Sequence, residues 1–182
     1  SFSELVTGES ILATVRRGKF LWFPLVGGRV LVAHLGMTGQ VLVRSPGALE
    51  NGSLRIRLSI EHPTLGELWI HFVDQRIFGS MAVDSLVATA DGLAGGFSGS
   101  ASLPEAWQMQ IPSQVSHIAR DPLDPNFSDA AFFAALKRKN TGIKRAMLDQ
   151  TVVSGIGNIY ADEALWASRL HYAQPTRELS TR

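Results

Sequence analysis

The sequence has 182 residues, of which 45% are apolar and 18% charged, so it can bury a core and does not have the composition of a disordered tail. Its formal net charge of +1 does not by itself indicate a nucleic-acid partner, and the absence of cysteine excludes disulfides and thiolate metal sites. No stretch approaches the roughly 20 apolar residues that span a bilayer, and the first residues lack the pattern of a secretory signal, so we expect a soluble cytoplasmic protein.

The first two thirds of the chain predict β-structure. Gly27-Gly28 lies between two apolar runs, which is typical of a tight hairpin turn because both glycines can take positive φ. The run LRIRLSI alternates apolar and polar side chains from Leu54 to Ile60, as in a half-buried strand. Many short strands at close spacing indicate an antiparallel sandwich or barrel.

Residues 87–113 are rich in Gly, Ala and Ser without periodicity, so we expect a flexible surface excursion there.

The last third of the chain predicts helices. Ser128 is a good N-cap for the helix AAFFAALKRK, and IKRAMLDQ gives a second, short helix. IYADEALWASRL gives a third, and TRELSTR is expected to begin a further one. The fold class predicted is α+β, with domains over residues 1–120 and 121–182. One face of the third helix is expected to carry Ala161, Ala164, Leu165 and Ser168.

A cluster of cations precedes a glycine-rich helix start. Residues 137–145, KRKNTGIKR, include Lys139 and Lys144 and contain no acidic side chain. Taken alone, such a cluster is more often a solvated helix end. Gly155, Gly157 and Asn158 then open the third helix, where N–H groups point towards an anion. Although a plain helix–helix turn is the commoner explanation of the glycines, the combination favours a clamp on a phosphate backbone.

Four positions in the β-part are candidates for chemistry or base contact. Lys19 follows two arginines and a glycine, and it is either a proton donor or acceptor in a groove or an edge-strand lysine that resists aggregation. Met37 lies in the turn LGMTG, and Arg76 and Phe78 lie in the turn DQRIFG. A methionine in a tight turn is usually core filler, but the three together could form a wedge that enters a base stack.

These motifs, in their order and spacing, resemble the formamidopyrimidine-DNA glycosylases, particularly those of high-GC Gram-positive bacteria. The resemblance covers nearly the whole chain except the Gly/Ala/Ser-rich excursion. It rests on VRRGKFLWFPL, VAHLGMTGQ, FVDQRIFG, HIARDPLD, IKRAMLDQTVVSGIGNIYADEALW and RLH with QPT.

The resemblance implies an antiparallel β-sandwich followed by a helix–two-turn–helix domain, with double-stranded DNA held between them. It implies excision of oxidised purines such as 8-oxoguanine and formamidopyrimidines, and cleavage of the abasic strand by β- and δ-elimination. A monomer is expected. The turn with Arg76 and Phe78 favours this purine branch over the related endonuclease VIII branch.

Roles follow for the matching positions. Lys19 matches the lysine assigned to proton transfer, and Met37 with Phe78 matches the wedge. Arg76 matches both the wedge and a DNA contact. The remaining expected DNA contacts are Lys139, Lys144 and Asn158.

The sequence departs from the family pattern in three ways. The family's catalytic N-terminal proline and the glutamate after it are missing, and the first residue is not methionine, so we expect an internal fragment that is inactive alone. The zinc of the full-length family would be held by a C-terminal zinc finger that is also missing, and no metal or cofactor is predicted in this chain. Ser53 stands where the family often has a DNA-contacting histidine.

Two other interpretations remain open. The chain could be a natural non-catalytic DNA-binding module that keeps the clamp and the wedge. A ribosome-like or topoisomerase-like setting for the two-turn motif is less favoured, because LGMTG and DQRIFG have no role there. The coding sequence on either side of the chain would discriminate between the enzyme and the module.

Overall fold

The computed structural model describes residues 1–50, 52–98 and 105–180. Within these ranges the chain forms a mainly β part followed by a helical part, which confirms the predicted α+β class. The elements are α1 (Phe2–Val6), β1 (Val15–Arg17), β2 (Phe20–Pro24), β3 (Arg29–His34), β4 (Gln40–Arg44), β5 (Leu54–His62), β6 (Gly66–Val73), β7 (Ser80–Ala88), β8 (Gln110–Pro112), α2 (Asp129–Arg138), α3 (Ile143–Met147) and α4 (Asn158–Ala167).

The strands form two antiparallel sheets. One sheet has the order β1-β2-β3-β7-β8, and the other has the order β4-β6-β5. The chain leaves the first sheet after β3 and returns to it at β7, so residues 35–39 and 74–79 are the two crossovers between the sheets. His34 pairs with Ser80, and Gln40 pairs with Val73. Because both ends of the crossovers are paired, the two segments must run side by side.

The strand patterns follow the alternation expected from the sequence. Gly27-Gly28 joins β2 to β3, with Gly28 at φ 79°, as predicted for a hairpin. Along β5, Leu54, Ile56, Leu58 and Ile60 are half-buried while the residues between them are exposed. One irregularity interrupts the β5–β6 register between Leu54 and Ile56.

The prediction that residues 87–113 carry little order is wrong at both ends of that stretch, because Val87 and Ala88 end β7 and residues 106–112 form regular elements, while residues 99–104 lie outside the described ranges. A 3₁₀ turn over Ala106–Met109 leads into β8, which pairs with β7. Trp107 and Ile111 are buried in the core of the larger sheet. A three-residue strand beside a 3₁₀ turn is too short to produce a detectable period, so the sequence pattern could not reveal it. The core cluster consists of Val15, Trp22, Val30, Val32, Trp107, Ile111, Val115 and Ile118.

The helical part has its own core. Ser128 caps α2 by accepting a hydrogen bond from the Ala131 N–H at 3.2 Å, as predicted. On α4, Ala161 and Leu165 are buried, whereas Ala164 and Ser168 of the expected apolar face are exposed. TRELSTR forms a single 3₁₀ turn over Thr176–Glu178, and residues 181–182 lie outside the described ranges. Within the described part of the chain, no helix has the length and apolar character needed to cross a bilayer.

Candidate nucleic-acid interface

The two crossovers expose the residues expected to form a wedge. We call residues 35–39 the methionine tip and residues 74–79 the arginine tip. Met37 is 67% exposed and Phe78 is 58% exposed, and the Arg76 guanidinium carbon lies 5.2 Å from the centre of the Phe78 ring. The structure therefore brings Met37, Arg76 and Phe78 together at one end of the sandwich.

The tips are packed tightly against each other. Gly36 has φ +57°, and a β-carbon there would lie 2.9 Å from the carbonyl carbon of Phe78. Between Arg76 and Phe78, Ile77 has φ +58° and is 67% exposed. A positive φ is costly for a β-branched residue. Ile77 was not predicted as a site residue from the sequence. Its position between Arg76 and Phe78, which were predicted, is the signal that could have indicated it.

Asp74 holds the arginine tip in place by accepting hydrogen bonds from its backbone. Its side chain is buried, and Oδ2 accepts from the Gly79 N–H at 2.7 Å. Oδ1 accepts from the Thr38 hydroxyl at 2.5 Å and from the Arg76 N–H at 3.3 Å. The hydrogen bond from Thr38, followed by that from Gly79, lowers the pKa of Asp74 below its ordinary value despite burial. Neither Asp74 nor Thr38 was predicted as a site residue from the sequence.

Lys19 lies in the β1–β2 turn, between the tips and the helical part. Its backbone oxygen accepts from the Leu35 N–H at 3.0 Å, which attaches the turn to the methionine tip. Its ammonium points towards α4, since a β-carbon built on Gly157 would lie 3.9 Å from the Lys19 Nζ. Burial lowers the pKa of His34, and the nearby charge of Lys19 lowers it further. The exposed ammonium is thus placed next to the start of α4.

The start of α4 presents free backbone donors beside Lys19. Gly157 is the N-cap and Asn158 is the first residue of the helix, where the side chain is exposed. The first N–H groups of a helix have no intrahelical acceptor, and they carry the positive end of the dipole. Gly155 takes φ +81°, which lets the chain turn sharply into this start. The arrangement suits a negatively charged group.

A buried aspartate fixes the Lys19 turn to the helical part. Asp121 Oδ2 accepts from Arg16 Nη2 at 2.7 Å and from the Gly18 N–H at 3.3 Å. Gly18 packs against the turn between α3 and α4, because a β-carbon on Gly18 would lie 2.9 Å from the Ser154 Cβ. The Ser154 N–H in turn donates to the Arg120 oxygen at 3.3 Å. These contacts set the position of Lys19 relative to α4.

The basic cluster is less free than its sequence indicates. Lys139 forms an ion pair with Asp149 at 2.7 Å, and Lys144 forms one with Asp162 at 2.7 Å. The hydrogen bond from Lys139, followed by that from the Thr151 hydroxyl, lowers the pKa of Asp149 to about 2. In each pair the carboxylate competes with any phosphate that approaches the ammonium. Arg138 and Arg145 of this cluster are exposed.

Two models of known protein families match this chain. The model described as formamidopyrimidine-DNA glycosylase N-terminal domain matches residues 1–81, and the model described as formamidopyrimidine-DNA glycosylase H2TH domain matches residues 118–182. The chain belongs to the formamidopyrimidine-DNA glycosylase family. Both tips and the Lys19 turn lie within the first match, and the start of α4 lies within the second.

Curated relatives carry the family's name at high identity. The formamidopyrimidine-DNA glycosylase of Leifsonia xyli is 61% identical over 182 residues, which cover 99% of this chain and 59% of the relative. That of Kineococcus radiotolerans is 50% identical over 95% of this chain and 56% of the relative. The chain therefore spans between half and two thirds of the length of these relatives.

Solved structures share the fold. The MutM (Fpg) protein from Thermus thermophilus is 32% identical, with a TM-score of 0.68 over 97% of this chain and 55% of that protein. The Lactococcus lactis Fpg (MutM), solved with DNA containing FAPY-dG, is 24% identical, with a TM-score of 0.68 over 98% of this chain and 58% of that protein. At that identity the second likeness supports the fold alone.

The zinc that the resemblance implies for the longer family members does not fit the described residues of this chain. The sequence contains no cysteine. Among residues 1–50, 52–98 and 105–180, no three His, Asp or Glu side chains are grouped closely enough to hold a metal ion.

Proposed function

We propose that this chain is the DNA-binding body of a base-excision repair glycosylase. In its longer form the protein would remove oxidised purines such as 8-oxoguanine and formamidopyrimidines, and cleave the abasic strand by β- and δ-elimination. The position of Lys19 carries this proposal: its backbone binds the methionine tip, and its ammonium lies beside Gly157 at the start of α4. An ammonium between a wedge and a phosphate-binding helix start is well placed to transfer protons at a deoxyribose.

The tips supply the means to open a duplex. Met37 and Phe78 are exposed apolar side chains on adjacent crossovers, with Arg76 stacked on Phe78. Inserting such a wedge costs a few kcal/mol of base stacking, and the cost is smallest at a damaged or missing base. The Arg76 guanidinium can then donate to the base left without a partner. This difference in cost would favour lesions over undamaged DNA.

The helical part supplies contacts to the phosphate backbone. The start of α4 lies beside the Lys19 ammonium at Gly157, and Asn158, the first residue of the helix, is exposed. Phosphate contacts position a protein on DNA without reading its sequence. In this proposal Lys139 and Lys144 exchange Asp149 and Asp162 for phosphates when DNA binds. The name of the curated relatives, which states a formamidopyrimidine substrate in DNA, supports the same assignment.

Arg76→Ala tests the wedge. We expect the chain to bind a duplex with a tetrahydrofuran abasic site more tightly than the undamaged duplex, and Arg76→Ala to lose affinity mainly for the abasic one. Fluorescence anisotropy titrations of both duplexes measure this. Arg44→Ala is the control, because Arg44 hydrogen-bonds only its neighbour's carbonyl in β4 among the described contacts. Equal losses on the two duplexes would contradict the wedge.

We also propose that residues 1–182 alone do not excise bases. No residue among them supplies the N-terminal secondary amine that the resemblance assigns to the nucleophile. An 8-oxoguanine oligonucleotide incubated with the chain should stay intact, and borohydride should trap no covalent adduct. Strand cleavage or a trapped adduct would refute this. A non-catalytic DNA-binding module predicts the same result, and the codons flanking the chain separate the two.

A further inference from the structure

Thr38 belongs to the methionine tip, and its side chain hydrogen-bonds the arginine tip. Its hydroxyl donates to Asp74 Oδ1 at 2.5 Å and accepts from the Arg76 N–H at 3.2 Å. Thr38 directly follows Met37, and Arg76 lies two residues before Phe78. One oxygen atom therefore connects the backbone that carries Met37 to the backbone that carries Phe78.

The sheets do not make this connection themselves. Strand pairing fixes the bases of the crossovers at His34 with Ser80 and at Gln40 with Val73. Beyond those pairs, the described hydrogen bonds that join the outer part of one tip to the other pass through the Thr38 hydroxyl. The packing of Gly36 against Phe78 holds the tips close but provides no directional bond. Orientation of one tip relative to the other thus depends on Thr38.

We propose that Thr38 is a positioning residue for lesion recognition, whose hydroxyl locks the tips so that Met37 and Phe78 enter a damaged duplex as one wedge. This rests on the proposed DNA-binding function, and specifically on the tips acting as the wedge. Two side chains that open the same base step only when held together act as a unit. Loss of either one then removes most of what both provide.

The hydroxyl can be removed almost isosterically. Thr38→Val keeps the shape of the side chain but can neither donate to Asp74 nor accept from Arg76. Thr38→Ser keeps both hydrogen bonds. Thr64→Val is the matched control, because Thr64 lies in the β5–β6 turn, where its hydroxyl contacts only the His62 ring among the described hydrogen bonds.

The test is a double-mutant cycle of Met37→Ala and Phe78→Ala. Affinity for abasic and undamaged duplexes is measured for wild type, each single variant and the double variant, and the cycle is repeated with Thr38→Val in every chain. With Thr38 present, we expect the double variant to lose about tenfold less abasic affinity than the product of the single losses. With Thr38→Val, the single losses should multiply. Thr38→Ser should behave as wild type.

The outcomes are distinguishable. The same non-additivity in both cycles would overturn the coupling, as would a Thr38→Ser chain that behaves like Thr38→Val. An equal loss of affinity for both duplexes in Thr38→Val would also overturn it, because Thr38 would then support the fold generally. If neither Met37→Ala nor Phe78→Ala changes the ratio of abasic to undamaged affinity, the wedge itself fails, and with it the proposed function.

Discussion

Lys139 shows how a single ion pair changes the role of a cation. The sequence predicts Lys139 as a DNA contact, and the structure places its ammonium 2.7 Å from Asp149. Because the ammonium has three N–H donors, a phosphate can bind beside the carboxylate or replace it, and in both cases the negative charge of Asp149 opposes the phosphate. Asp149 thus competes with DNA for Lys139, a competition that the order of residues alone could not indicate.

Lys139→Ala should weaken binding to undamaged and abasic duplexes by the same factor and lower the salt slope of log K by about 1. Asp149→Asn should strengthen binding to both duplexes, because it releases Lys139. Anisotropy titrations over a range of salt concentrations measure both variants. The prediction fails if Asp149→Asn weakens binding or if either variant changes the ratio between the two duplexes.

The Asp149 pair also has a defined pH window. The folded-state pKa of Asp149 is about 2, against an ordinary value of 3.8. A carboxyl group with a lowered pKa stabilises the fold fully above its unfolded pKa and loses that contribution as the pH falls through the folded value. Thermal unfolding should give wild type a higher melting temperature than Asp149→Asn at pH 6. The difference in melting temperature should shrink between about pH 4 and pH 2. A difference that grows on acidification would contradict the assignment.

Two glycines with positive φ have different tasks, one in the methionine tip and one in the loop between β4 and β5. Gly36 and Gly47 both have positive φ, but a β-carbon on Gly36 would meet the Phe78 backbone at 2.9 Å, whereas one on Gly47 would meet nothing within 4 Å. Positive φ alone costs about 1 kcal/mol for alanine, and the close contact at Gly36 adds to it. The methionine tip therefore depends on Gly36 for its contact with the arginine tip.

Gly36→Ala should destabilise the chain by about 2–3 kcal/mol and reduce its preference for abasic DNA. Gly47→Ala should cost about 1 kcal/mol and leave that preference intact. Urea unfolding gives the stabilities, and titration of the two duplexes gives the preference. Equal effects of the two variants on the abasic preference would show that the contact between the tips is unimportant.

The sequence predicts best the elements whose pattern is local. The alternation of β5, the Gly27-Gly28 turn and the Ser128 cap are all confirmed. The stretch from Ala106 to Pro112 was missed because its strand has three residues, and its burial arises from packing against distant strands. The two turns and the resemblance together indicated Met37, Arg76 and Phe78, but the hydrogen bond between Thr38 and Asp74 joins residues 36 positions apart. Such pairings are set by topology and were invisible before the sheets were known.

At the scale of the whole molecule, Asp121 connects the sandwich to the helical part. It accepts from Arg16 and Gly18, which are 105 and 103 positions away in the chain. Asp84 has a similar set of donors, Ser113 and Gln114, but lies entirely within the sandwich. Comparing variants of the two aspartates therefore distinguishes an effect on the stability of the fold from an effect on the geometry of the interface.

Asp121→Ala should lower the free energy of unfolding by roughly 1–2 kcal/mol, because the buried Gly18 N–H loses its acceptor and the partly exposed Arg16 loses its ion pair. It should also weaken binding to every duplex, since the Lys19 turn and the start of α4 are no longer held together. Asp84→Ala should destabilise the chain without changing DNA affinity at temperatures where it is folded. Calorimetry combined with anisotropy decides the matter, and unchanged DNA affinity in Asp121→Ala would count against this role.

The most direct test asks whether both tips and the start of α4 meet one stretch of DNA. The chain has no cysteine, so single cysteines at Met37, Asn158 or Leu65 can each carry an aryl azide photocrosslinker. Leu65 is exposed, and β6 separates it from the arginine tip by roughly 25 Å of extended chain. With a duplex containing one abasic site, the probes at Met37 and Asn158 should crosslink within a few nucleotides of that site, and the probe at Leu65 should not. Crosslinks from Met37 and Asn158 at unrelated positions, or equally strong ones from Leu65, would contradict a single DNA-binding trough.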